Sequence, residues 1–173
     1  IKHNVETLIK RCKETGIDVA AVVKLVCGDP IIINEIANSP ITTIADSRLE
    51  NFEKITDINI PKMMLRIPML SQIDKLVDLT DISLNSEIET IRKISDVASS
   101  NGKVHQVILM IDLGDLREGI IDDDVLDRTV AEIIHLKGVN LLGIGANLCC
   151  FGGVIPNEEN MLKLVRIKHH IEN

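Results

Sequence analysis

Apolar and polar positions alternate in two textures along this chain. Short runs rich in Val and Ile, Val19–Val26, Thr42–Ala45, Lys62–Ile67, Asp81–Leu84, Val104–Ile111 and Val139–Ile144, read as buried strands. Between them lie stretches with helical spacing. Ser86–Ser99 places Ile88, Ile91, Ile94, Val97 and Ala98 on one stripe, and Asp124–Lys137 does the same with Leu126, Val130, Ile133 and Ile134. Asn4–Thr15 turns Val5, Leu8, Ile9 and Cys12 inward, and Gly16 is expected to close it. Ser47-x-x-Glu50, Ser71-x-x-Asp74 and Ser86-x-x-Glu89 each follow an apolar run and predict capped helix starts.

Strands that are apolar on both faces and separated by helices imply a parallel sheet covered by helices. A Rossmann-like sheet wants G-x-G-x-x-G after its first strand, which Val26-Cys27-Gly28-Asp29-Pro30 does not supply. A (β/α) barrel carries its chemistry on the C-terminal strand ends. Those ends read Lys24, Asp46-Ser47-Arg48, Arg66, Asn85-Ser86, Asp112 to Arg117, and Asn147, a polar ring on an aliphatic body. The expected fold class is α/β, of (β/α)8 TIM-barrel type, here an incomplete barrel of about six β/α units.

Composition narrows the function classes. A length of 173 residues suits one domain, and 45% hydrophobic residues suffice for a core. A net charge of −7 argues against nucleic-acid and anionic-membrane partners. Two Phe, with no Trp or Tyr, leave little for stacking on bases or sugars. No apolar run reaches the roughly twenty residues of a membrane span. Cys12, Cys27, Cys149 and Cys150 form no zinc-like spacing, so no metal site is expected, and reduced thiols in the cytoplasm are.

Three segments carry candidate chemistry. Lys24 closes the apolar run Val19–Val26; burial there would favour the neutral amine a Schiff base needs, whereas a snorkelling stem would only keep its charge in water. Asp112-Leu113-Gly114-Asp115-Leu116-Arg117-Glu118-Gly119 sets charges between glycines, with Arg117 either paired to Asp115 or Glu118 or free to bind an anionic oxygen. Gly143 to Gly153 is a glycine-rich strand exit containing Asn147. Arg66 is a second charge in an apolar run.

Together these segments resemble the N-terminal barrel of the alanine racemase family, the fold-type III pyridoxal-phosphate (PLP) enzymes. The lysine after an A-V-V-K-like first strand is Lys24, the D-x-G-x-x-R-x-G segment is Asp112, Gly114, Arg117 and Gly119, and the G-[LI]-x-x-H exit is similar to Gly143 to Asn147, with Asn147 replacing histidine. Ile44-Ala45-Asp46-Ser47-Arg48 and Leu65-Arg66-Ile67-Pro68-Met69 resemble the ornithine racemase-like branch more than alanine racemase itself.

The resemblance implies a PLP-dependent amino-acid racemase. Lys24 would hold PLP as an internal aldimine and act as one acid/base group at the substrate Cα. Arg117 would bind the phenolic oxygen, and Asn147 would lie against the ring. Asp115, Glu118 and Arg66 are expected as substrate-binding residues. Residues 1–173 would be the N-terminal portion of the PLP-binding barrel, with the remaining strands and a C-terminal β domain outside this chain. The full-length protein would act on a small amino acid as a homodimer, and the fragment alone would be inactive. Gly28 stands where alanine racemases have a phosphate-contacting tyrosine, and Met110 where many have a modified lysine behind the arginine. A non-catalytic PLP-binding protein of the single-domain barrel type is the alternative, and aldolase or dehydratase chemistry on the same barrel stays open.

Overall fold

The computed structural model describes residues 1–173. Six strands, β1 (Ala20–Val22), β2 (Thr43–Asp46), β3 (Lys62–Met64), β4 (Ile82–Asn85), β5 (His105–Met110) and β6 (Val139–Gly145), hydrogen-bond in chain order. The pairs β1–β2, β2–β3 and β5–β6 are parallel. After a leading helix α1 (Lys2–Lys13), each strand is followed by a helix: α2 (Pro30–Ala37), α3 (Leu49–Phe52), α4 (Ile73–Leu79), α5 (Ile88–Ser100), α6 (Asp123–Ile133) and α7 (Glu158–Glu172). A doubly wound sheet would reverse its strand order; sequential order is that of the (β/α)8 barrel, of which this chain supplies six β/α units. No helix is long and apolar enough to cross a membrane.

The chain divides into two compact units. The first comprises Ile1–Arg66 with Lys75–Ile82. Its core is aliphatic around a single aromatic: Ile33, Ile44, Ala45, Phe52 and Leu76 are wholly buried. Of the stripe expected on α1, Ile9 is buried and Leu8 faces solvent. The run Val19–Val26 is shorter as a strand than its composition suggests. After Val22 the chain turns through a 3₁₀ turn, Lys24–Val26, and leaves it at Cys27 with φ 51°.

The second unit comprises Ile67–Asp74 with Ser83–Asn173. The predicted stripe of α5 is present, with Ile91, Ile94, Val97 and Ala98 buried. On α6, Leu126 and Ile133 are buried as expected, whereas Ile134 lies past the helix end and is exposed. Arg92 on α5 bridges Glu89 and Glu132, fastening α5 to α6; the hydrogen bonds to Arg92 hold the Glu132 carboxyl below its ordinary range.

The serine caps do not form. At α3 the N-terminal residue is Arg48, and the Asp46 carboxylate takes the N–H groups of Ser47 (2.6 Å) and Arg48 (3.0 Å). Ser71 lies inside a 3₁₀ turn, and α5 starts from Glu87 without a side-chain cap. Acids and asparagines do the capping elsewhere: Asp29 at α2, ahead of Pro30, Asp122 at α6, and Asn157 at α7 in a reciprocal pair with Asn160.

Candidate functional site

In the first unit the candidate residues follow β1 and β3. Lys24 begins the 3₁₀ turn after β1, and its side chain is exposed with no hydrogen bond or ion pair. The expected burial of this amine is therefore not provided by its own strand, because β1 ends before the lysine and the turn lifts it into solvent. Arg66 lies two residues beyond β3 and is likewise exposed.

The loop after Lys24 is held firmly. The Lys54 ammonium donates to the Cys27 carbonyl at 2.7 Å. Gly28 has φ 73°, and a Cβ there would stand 2.9 Å from the Asn51 carbonyl oxygen. Asn51 is in turn fixed, its amide donating to Asp46 at 2.9 Å. No tyrosine fits this position: the backbone is left-handed and pressed against α3, so glycine is the residue the geometry admits.

In the second unit two loops interlock above β5 and β6. Asp112, just past β5, accepts from the N–H groups of Gly114 (2.7 Å) and Leu116 (3.2 Å) and draws the loop 112–119 into a closed turn. The loop returns to the strand where Ile120 N–H donates to the Met110 carbonyl at 2.8 Å. Asp115, 1% exposed, reaches the loop that leaves β6: its carboxylate accepts from Phe151 (2.8 Å), Val154 (3.1 Å) and Cys150 (3.2 Å). Burial pushes this carboxyl up, but the backbone N–H groups of Val154, Cys150, Phe151 and Gly152 more than offset it and hold the group below its ordinary value.

The polar side chains meet above that frame. The Arg117 guanidinium donates from Nη1 to the Cys150 Sγ at 2.9 Å, and its Nε lies 3.9 Å from Glu118 Oε1. Asn147, just past β6, donates from Nδ2 to the same Glu118 oxygen at 2.7 Å. Arg117, Glu118 and Asn147 thus form one cluster. Asp115 and Glu118 do not stand open to a substrate: the first is spent on backbone N–H groups, and the second, 9% exposed, on Asn147. Cys150 as a partner of Arg117 carries no sequence signal, because the pair is 33 residues apart and joined only by loop closure.

Replacing Asp115 with Asn should release the loop 149–154, since an amide cannot accept at both ends. Hydrogen exchange of the Phe151 and Val154 amides should quicken; unchanged exchange would refute the clamp. Acid should mimic the substitution. A depressed carboxyl stabilises fully above its unfolded value and loses that contribution as pH falls through the folded one.

The profile of the alanine racemase N-terminal domain matches residues 1–173, the whole chain. The chain belongs to this family. The ornithine racemase of Acetoanaerobium sticklandii is 40% identical over 167 residues, covering 96% of this chain and 47% of the relative. The lysine racemase of Thermotoga maritima is 31% identical over 174 residues, covering 99% and 48%. The chain thus spans about half the length of the curated relatives it matches. The alanine racemase of D-cycloserine-producing Streptomyces lavendulae superposes with a TM-score of 0.80 at 16% identity, covering 99% of this chain and 47% of that one. At that identity the likeness establishes the alanine racemase barrel as the fold.

Proposed function

We propose that this chain is the PLP-binding portion of an amino-acid racemase whose substrate carries a cationic side chain. The observation that carries the reading is the 40% identity to an ornithine racemase across 96% of the chain, with the lysine racemase beside it. Residues 1–173 are the N-terminal portion of the barrel, and the remaining strands and a C-terminal β domain complete the protein, which acts as a homodimer in the cytoplasm.

Each unit by itself offers donors of a type that suits PLP. Lys24 offers a primary amine with no competing partner, and Arg117 keeps N–H groups uncommitted beyond its bond to the Cys150 thiol and its ion pair with Glu118. Each follows the C-terminal end of its strand, where (β/α) barrels carry their chemistry. When bound, PLP supplies an electron sink that makes the substrate Cα–H acidic. Lys24 Nζ would be the group that takes or returns a proton at Cα. Arg117 would hold the cofactor through its guanidinium, Asn147 would stand with it, and the exposed Arg66 guanidinium would be available to a substrate carboxylate.

The test uses the full-length protein. Adding PLP should produce a visible absorption band, and L-ornithine or L-lysine should then lose optical rotation to zero while its concentration holds. No band at saturating PLP overturns cofactor binding. A band without decay of rotation overturns the racemase reading.

A further inference from the structure

We infer that Glu118 is a positioning residue: it fixes which end of the Asn147 carboxamide faces the ligand and restrains Arg117 beside it. The inference rests on the reading of this site as a PLP site and adds a duty for a residue that touches neither PLP nor substrate. A carboxylate only accepts hydrogen bonds, whereas a carboxamide has a donor end and an acceptor end. The 2.7 Å contact to Glu118 Oε1 therefore commits Asn147 through Nδ2 and leaves Oδ1 as the atom it can present. At 9% exposure of the Glu118 side chain, water competes poorly for this bond. The same oxygen lies 3.9 Å from Arg117 Nε, so one anion restrains both groups. The neighbouring carboxylates cannot substitute. Asp112 and Asp115 are committed to backbone N–H groups, and Met110, at the end of β5, is apolar and buried.

A double-mutant cycle in the full-length protein tests this by PLP titration, followed through the visible band. Glu118→Ala should weaken PLP binding about tenfold in the unsubstituted background, and less than about twofold when Asn147 is already Ala, because the two act as one unit. Glu118→Gln keeps an acceptor oxygen and should stay within about threefold of the unsubstituted protein. Equal losses in both backgrounds, or a Gln variant as weak as the Ala variant, would overturn the inference. Crystal structures of the PLP-free protein give a readout that needs no cofactor. The Asn147 carboxamide should be ordered with Nδ2 on Glu118, and turned or disordered in Glu118→Ala; an unmoved carboxamide would also overturn it. If the unsubstituted protein binds no PLP, the functional reading fails by itself, and the PLP-free structures still decide whether Glu118 orients Asn147.

Discussion

Lys24→Ala in the full-length protein is expected to abolish the visible PLP band and to cut racemisation by about a thousandfold or more, the scale of losing a nucleophile and an acid/base group together. The structure makes this a clean experiment. Lys24 is exposed and lies in a 3₁₀ turn, and its side chain bonds to nothing, so its truncation should leave the melting temperature close to that of the unsubstituted protein. The loop it stands on is anchored by other groups, Lys54 on the Cys27 carbonyl and Gly28 against Asn51. Thermal melting and PLP titration of the same sample separate the two effects. A Lys24→Ala protein that retains the band and turns over substrate would remove the lysine from the mechanism.

The second large effect is structural. Gly119→Ala should cost about 3 kcal/mol, combining a left-handed backbone penalty with overpacking. Gly119 has φ 136°, and a Cβ would sit 2.4 Å from the Asp112 nitrogen and 2.5 Å from the Ile111 carbonyl carbon. Both are backbone atoms, so no side chain can swing aside. Since Ile120 pairs with Ile111 immediately beyond, the clash would pry the loop 112–119 from its strand and carry Arg117 and Glu118 with it. Chemical denaturation of the Gly119→Ala protein reads the loss. A change below about 1 kcal/mol would show that the loop yields more easily than its packing implies.

How far the sequence was legible depends on the element. All six strands lie within or beside the apolar runs that predict them, but β1 and β3 are shorter than their runs. The continuation of β1, Val23 to Val26, is as apolar as a strand, and nothing in hydrophobicity separates that from a 3₁₀ turn with Val23 buried. The helix α2 escapes notice since Ile31-Ile32-Ile33 looks like a strand, although Asp29 followed by Pro30 is a sound helix start. The cap at Ser47 misleads because a carboxylate one residue upstream, Asp46, is the stronger acceptor, whereas Ser71 falls inside a 3₁₀ turn and α5 starts from Glu87, one residue past Ser86. At the site, the resemblance singles out Arg117 and Asn147, and the structure brings both to Glu118. The duties of Asp115 and Glu118 are not, because whether an acid faces a ligand or a backbone is decided by contacts between segments some 30 or more residues apart.

The closed turn anchored by Asp112 and the clamp formed by Asp115 have a consequence for how such a site changes over evolutionary time. The Asp112 hydrogen bonds stay within 112–119 and those of Asp115 run from that loop to 150–154, with little drawn from side chains of the strands beneath. The pair behaves as a cassette that brings its own scaffolding. Exchanged as a unit between related barrels, it should keep its shape, whereas either loop moved by itself would arrive without the partner that shapes it.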